Sequence, residues 1–183
     1  MLVLMGKTAS GKDTVLNRLV KEHGYKKIVT YTTRPKRKKE IQDVTYHFIS
    51  ENEFKEKIES GFFLEYKEHH SSQGTWYYGS AKEDYEKSDE KTLIILTPDG
   101  YRDFLREYPN MDHTSIYLYS NNKTLENRLI KRGDDPKEAK RRLDSDNKDF
   151  KCAQDWADKI VYNNENNSVD DVVNKILEYV NAR

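Results

Sequence analysis

The stretch from Leu2 to Thr14, LVLMGKTASGKDT, constrains this chain more than any other part of it. Leu2 to Met5 reads as a short buried strand. Gly6, Gly11 and Lys12 then spell the phosphate-loop pattern G-x-x-x-x-G-K. From Lys12 to His23, Val15, Leu16, Leu19 and Val20 fall on one helical face, and Gly24 is placed to end the helix. A strand that runs through a glycine loop into an amphipathic helix is the opening unit of an α/β fold. In that setting the loop amides and the helix N-terminus face an anion, and the lysine reaches the outer phosphates of a nucleotide. Gly6, Lys7, Thr8, Ala9, Ser10, Gly11, Lys12, Asp13 and Thr14 are therefore the expected nucleotide-binding set. A plain glycine turn is the competing reading, and the flanking strand and helix weigh against it.

The last place of the pattern breaks. Asp13 stands where a hydroxyl normally serves Mg2+, and Thr14 comes one residue late. Three readings stay open here. Asp13 belongs to the metal shell, or it is a first-turn acid favoured by the helix dipole, or Thr14 supplies the hydroxyl.

The remaining chain alternates strand and helix patterns. Ile28–Thr30, Thr92–Leu96, Ser115–Tyr119 and Ile160–Tyr162 are the expected strands. Asp99–Tyr108, Lys123–Lys131 and Val169–Val180 are the expected helices, the last with a single stripe of Val169, Val172, Val173, Ile176, Leu177 and Val180. The expected fold is α/β, a parallel sheet of about five strands flanked by helices. Two segments interrupt the alternation. Between residues 31 and 80, Ser50-Glu51-Asn52-Glu53 reads as a capping box for a short helix that Gly61 closes. Tyr46–Ile49 and Phe62–Tyr66 look like strands of a small inserted sheet beside it. Between residues 128 and 151 the chain is very polar. Pro136 suits the first turn of a helix there. Its apolar residues are only Ala139, Leu143 and Phe150, so it is expected to pack poorly and to move.

Composition narrows the classes. A length of 183 residues suits one domain, or one core with insertions. The 32 basic and 32 acidic residues cancel, so no bulk field for nucleic acid is indicated. With mean hydropathy −1.02 the core should be modest. The 13 tyrosines and the apolar runs argue against disorder. Cys152 is alone, so no internal disulfide is possible, and no Cys/His cluster has zinc spacing. The first apolar run is too short for a signal peptide, and none reaches the ~18 residues of a membrane span. The expectation is a soluble, cytoplasmic protein with neither membrane nor nucleic acid as partner.

A second segment carries chemistry. Arg34 and Arg37 lie three apart in a proline-containing loop, where guanidinium forks suit bidentate phosphate capture. Arg34 to Lys39 has five basic residues in six, which alone would read as a solvated run. Beside a phosphate loop, a substrate-phosphate role is the better reading for the two arginines, with Lys36, Lys38 and Lys39 solvated. Tyr46 and Tyr78 can donate to the same phosphate, although strand aromatics are often simply half-buried. Guanine presents N1–H and its 2-amino group side by side, and adenine offers neither, so a fixed carboxylate at Glu65 would select guanine. In Phe62-Phe63-Leu64-Glu65-Tyr66 the same glutamate could equally face water. A hydroxyl at Thr30 or Ser80 could serve guanine O6 or N7. His69 and His70 fall in a segment, 69–76, whose default is a surface loop.

These residues together resemble the guanylate kinase family. The likeness rests on Thr32-Thr33-Arg34-Pro35, Arg37, Glu40, Tyr46-His47-Phe48, Phe54, Gly61, Phe63-Leu64-Glu65-Tyr66 and Tyr77-Tyr78-Gly79-Ser80. Arg128-Leu129, Arg132-Gly133, Arg142-Leu143 and the strand ending at Asn163 continue it, in order, over nearly the whole chain. The resemblance implies a P-loop nucleoside monophosphate kinase with a core (1–29, 81–120 and 152–183), a monophosphate-binding subdomain (30–80) and a helical lid (approximately 121–151). It implies phosphoryl transfer from ATP, with Mg2+, to GMP or dGMP. Arg34, Arg37, Tyr46 and Tyr78 match phosphate-binding positions; Thr30, Glu65, Ser80 and Thr97 match the guanine side. Lys12, Arg34, Arg128, Arg132 and Arg142 match the catalytic set, and Asn163 the ATP base clamp. For the lid arginines, ordinary helix charge pairing is the competing reading. A monomer or a homodimer is compatible with this.

The likeness has a gap. Relatives carry acids in a D-x-D-x-x-G pattern where this chain has Ile95-Leu96-Thr97-Pro98-Asp99-Gly100. Ile95 and Thr97 replace the acids, and Asp99 reads as a helix cap. One acid gained at Asp13 and acids lost at Ile95 and Thr97 give the expectation that Asp13 stands in for the missing carboxylate. Two rival functions remain at this level: a kinase for another monophosphate, and a non-catalytic binding module.

Overall fold

The computed structural model describes residues 1–182 apart from Lys39, Ser72 and Gln73, and gives no side chain for Ser71. The solvated role expected for Lys39 therefore lies outside the described residues. In chain order the elements are β1 (Leu2–Met5), α1 (Lys12–His23), β2 (Lys26–Lys27), β3 (Tyr31–Thr32), β4 (His47–Phe48), α2 (Glu51–Glu59), β5 (Phe63–Ser71) and β6 (Gly74–Ala81). They continue with α3 (Lys82–Glu86), β7 (Thr92–Ile95), α4 (Pro98–Glu107), β8 (Thr114–Tyr119), α5 (Asn122–Arg132), α6 (Pro136–Asp149), α7 (Ala153–Trp156), β9 (Lys159–Tyr162) and α8 (Val169–Asn181).

The chain divides into two compact units. The first comprises Met1–Lys27, Glu90–Tyr101 and Met111–Arg183. Its sheet has five strands in the order β2-β7-β1-β8-β9, and every pairing is parallel. Parallel strands covered on both faces read as unbroken apolar runs, and Leu2 to Met5 is buried throughout. Val15, Leu16 and Leu19 of α1 and Val172, Val173 and Ile176 of α8 pack with Leu2, Leu4, Leu93, Ile116 and Leu118 in one core. Gly24 ends α1 at φ 72°, and its N–H donates to the Leu19 carbonyl. Ser168 and Asp171 form a reciprocal capping box at the start of α8.

The second unit comprises Ile28–Asp89 and Arg102–Asn110. Its four strands run β4-β3-β6-β5, with β3 parallel to β4 and antiparallel to β6. Phe54 of α2 is fully buried; its ring stacks on Phe63 at 4.4 Å and lies 5.4 Å from Tyr77. The Ser50 hydroxyl accepts from Glu53 N–H, and Gly61 (φ 68°) follows the helix. Residues 102–110 belong to this unit because Phe104 packs against Tyr85, with ring centroids 5.6 Å apart.

Several sequence expectations are corrected. Ile28–Thr30 is not a strand, because the pairings on either side of it belong to different sheets: Lys26–Lys27 with β7 and Tyr31–Thr32 with β4 and β6. Tyr46–Ile49 shortens to the two residues of β4. The strand expected at Phe62–Tyr66 instead runs on through β5 into a long antiparallel hairpin with β6, pairing His69 with Trp76 and His70 with Thr75. Segment 69–76 is thus the end of a hairpin wherever it is described, not a loop. Asp99 does not cap α4. The Thr97 hydroxyl does, accepting from Gly100 N–H at 3.1 Å, as an N-cap oxygen reaches the third amide of its helix. Finally, α6 is better packed than its composition implies. Leu143 joins Leu125 and Leu129 in a small core against Ala9, and the Phe150 ring stacks on Tyr117 at 5.9 Å.

Candidate functional site

In the first unit the loop leaves the buried strand β1 and enters α1. Ala9 (φ 58°) and Gly11 (φ 94°) both adopt left-handed backbone, which turns successive amides toward one side as an anion-binding concavity. The close quarters require glycine. A Cβ at Gly6 would lie 2.6 Å from Ser10 Oγ and 2.8 Å from the Leu118 carbonyl; one at Gly11 would lie 2.5 Å from Asn163 Nδ2. Asn163 is buried and donates through Nδ2 to the Ser10 carbonyl at 2.8 Å. Arg128 braces the same loop, donating to the carbonyls of Ala9 (3.2 Å) and Asn163 (3.0 Å) and to Ser120 Oγ (3.3 Å).

Lys12 folds over the loop, its Nζ donating to the Lys7 carbonyl at 2.8 Å. Burial pushes its pKa down, and Asp13 and Asp146 push back. Asp13 and Thr14 are exposed in the first turn of α1. Among the described residues no group of three or more His, Cys, Asp or Glu is placed to hold a metal. Ser10 Oγ is buried with no hydrogen-bond partner among the described atoms. Arg132 pairs with Asp134. Arg142 donates to Glu138 at 2.9 Å, the i, i+4 pairing that was its alternative reading.

Two groups at this loop were missed by the sequence reading. Asp146 Oδ2 accepts from Thr8 N–H at 2.5 Å, and Asn147 Oδ1 accepts from Lys7 Nζ at 2.6 Å. A signal for the first existed. Ala139, Leu143, Asp146 and Phe150 recur at helical spacing on one face of α6, so Asp146 is the charged member of an otherwise apolar stripe.

The second unit gathers the other set. Arg34 is only 6% exposed. Its guanidinium grips Glu40 at 2.7 and 3.1 Å and lies over the rings of Tyr46 (5.6 Å) and Phe48 (5.8 Å). Burial works against its charge, but hydrogen bonds to Glu40 and Tyr78 outweigh this and its pKa rises. The Tyr46 and Tyr78 rings meet edge to face at 6.0 Å. Arg37 is exposed, as are Lys36 and Lys38, and the Arg37 amide donates to Glu40 at 2.7 Å. One carboxylate thus organises the whole arginine loop. The Thr30 carbonyl accepts from His47 N–H at 2.9 Å.

Glu65 sits at an irregularity in β5, where the register shifts between Phe63 and Glu65. Ser80 Oγ, fully buried, donates to Glu65 Oε1 at 2.7 Å and shares a 2.8 Å bond with the buried Tyr85 hydroxyl. Burial pushes the Glu65 carboxyl up, and the Ser80 hydrogen bond opposes this. Tyr85 was not anticipated; a tyrosine in a short helix after the strand gave no distinct signal. Thr97 belongs to the first unit, where its hydroxyl is engaged in capping. His70 contacts Thr75 at 2.9 Å near the hairpin end.

A family model described as guanylate kinase matches residues 1–183. The chain is similar to a guanylate kinase of Wolinella succinogenes, 38% identical over 144 residues, covering 75% of this chain and 64% of that protein. It is also similar to a guanylate kinase of Helicobacter pylori, 33% identical over 165 residues, covering 85% of this chain and 76% of that protein. The first alignment spans less than two thirds of its relative's length. Among solved structures, a guanylate kinase from Anaplasma phagocytophilum superposes with TM-score 0.70 over 100% of this chain and 84% of its own, at 22% identity, a likeness of fold. With the family model matching from end to end, the chain belongs to the guanylate kinase family.

Proposed function

We propose that this chain transfers the γ-phosphoryl group of ATP to GMP or dGMP. The observation that carries this reading is the half-buried Glu65 carboxylate, set by Ser80, in the unit that also holds Arg34, Tyr46 and Tyr78. Such a carboxylate accepts from two neighbouring donors of guanine and leaves adenine unmatched. Membership of the family supports the same reading.

Phosphoryl transfer needs little covalent help; it needs in-line positioning and neutralised charge. The loop amides and Lys12 hold the donor's phosphates. Arg34, Arg37, Tyr46 and Tyr78 hold the acceptor's phosphate. Thr30 serves the guanine edge, and Ser80, its hydroxyl already engaged by Glu65 and Tyr85, serves it by setting Glu65 rather than by meeting guanine itself. Arg128, Arg132 and Arg142 of α5 and α6 would turn from their present partners to the transferring group, and Asn163, which holds the loop through the Ser10 carbonyl, would stand beside the ATP base. Thr14 or Asp13, in the first turn of α1, would hold Mg2+ mainly through water and the nucleotide's phosphates, and the ion would supply charge neutralisation to the transferring group. Residues 30–80 would act as the monophosphate-binding part and about 121–151 as the lid, whose closure excludes water.

A panel of monophosphates in a coupled ADP-release assay tests the reading. GMP and dGMP should turn over, with AMP, CMP and UMP lower by about 10³-fold or more in kcat/KM. Comparable turnover of any other monophosphate sinks it, as does absence of turnover altogether.

Asp13 is proposed to supply the negative charge that Thr97 lacks. It acts electrostatically on both Lys12 and Lys27. Asp13→Ala is expected to raise the Mg2+ concentration for half-maximal rate several-fold, about 1 kcal/mol of lost ion stabilisation. An unchanged Mg2+ titration would reject the compensation.

A further inference from the structure

The phosphate loop already holds an anion that belongs to the protein. The Thr8 amide has one hydrogen to give, and it goes to the Asp146 carboxylate at 2.5 Å. One residue along, Asn147 Oδ1 takes Lys7 Nζ at 2.6 Å. Lys12 and Lys7 both act on Asp146 electrostatically. A side chain from α6 therefore meets an amide and two cations of the expected phosphate-binding set.

The helix is built to deliver it. Leu143 and Phe150 flank Asp146 on the same face. Leu143 packs on Leu125 and Leu129 with Ala9 of the loop beside them, and Phe150 stacks on Tyr117. Two apolar anchors thus fix the carboxylate between them, half-buried against the loop.

We propose that Asp146 is an internal competitor for the phosphate loop, and that nucleotide binds only by displacing it from the Thr8 amide. The proposal rests on the reading that this loop binds nucleotide phosphates. Displacement must loosen the middle of α6, the helix that also carries Arg142. Occupation of the loop by phosphate and release of the Asp146 side of α6 are then one event. A nucleotide binding to a chain whose open form is a minor population pays for that population in apparent affinity. The carboxylate acts as a positioning residue for α6, and as a threshold that a weakly held anion fails to cross.

The test uses titration calorimetry on the full chain. The two metal-free probes are inorganic tripolyphosphate, and ATP with chelator to remove Mg2+; a separate titration uses Mg2+-ATP. The variants are Asp146→Asn, which keeps the shape and removes the charge, and Asp146→Ala, which removes the acceptor. Asp144→Asn, exposed on the same helix, controls for net charge. Both Asp146 variants should bind both metal-free probes about tenfold tighter than the parent chain, with Asp144→Asn within about twofold. Equal or weaker binding by both Asp146 variants overturns the proposal. Weaker binding of Mg2+-ATP alongside unchanged tripolyphosphate binding also overturns it, and makes Asp146 a metal ligand instead. Tighter tripolyphosphate binding in a chain that phosphorylates no monophosphate upholds the competitor and rejects the kinase reading. Absence of binding by parent and variants alike rejects both.

Discussion

Lys12→Ala is expected to lower kcat by about 10²–10³-fold, the usual loss when one preorganised charge-stabilising donor is removed. Among the described residues its side-chain hydrogen bond goes to a carbonyl of its own loop, and Asp13 and Asp146 act on its charge. Its charge is desolvated, which makes it stronger toward a phosphate than an exposed lysine would be, and burial already draws its pKa down. Removing it should leave folding nearly intact, because Leu16 and Leu19 on the same helix carry the core contacts. Steady-state kinetics with saturating GMP, beside a thermal unfolding curve, separate the two effects. A variant with unaltered kcat and a lowered midpoint would show the lysine to be structural.

Glu65→Gln should act at the other substrate. The amide sets its own donors against the donors of guanine, so kcat/KM for GMP should fall by about 10³-fold or more, with little change toward other monophosphates. Its pH dependence has a definite sign. Glu65 must be ionised to accept from guanine, and burial holds its pKa above the ordinary carboxylate value. Affinity for GMP should therefore weaken on acidification at a higher pH than an exposed glutamate, near ~4.3, would give. Stability has the opposite sense. A raised pKa contributes stability at low pH that is lost as the pH climbs through the folded value. In Glu65→Gln both dependences should flatten. A GMP KM that keeps the parent's pH profile in the glutamine variant would exclude Glu65 as the titrating group.

Much of the first unit was legible because parallel strands buried on both faces leave a plain trace. Leu2–Met5, Thr92–Ile95 and Thr114–Tyr119 are dense apolar runs, and α8 shows one stripe. The short strands were not legible. Two residues, as in β2 or β3, carry no periodicity, and Ile28 marked burial rather than pairing. The hairpin of β5 and β6 escaped because Lys67, Glu68, His69 and His70 are polar on both faces, so pairing left no hydrophobic alternation. Pattern located the arginines and Glu65, but not what holds them. Glu40 and Tyr85 are long-lever contacts of single side chains. Thr97 rather than Asp99 caps α4 because the helix begins at Pro98, one residue earlier than apolar periodicity implied.

The place of β1 in its sheet has a consequence for how the molecule is made. Leu2 pairs with Leu93 on one side and Thr114 on the other. The loop is thus made before its strand has either neighbour, and it gains its framework only after the whole inserted segment Ile28–Asp89 has been synthesised. Most of the second unit, by contrast, is one unbroken segment, Ile28–Asp89, whose hairpin contacts are local and quick to form. Nascent chains must therefore carry an unpaired apolar Leu2–Met5 strand while the inserted segment condenses, a vulnerability that topology alone imposes on the strand leading into the loop.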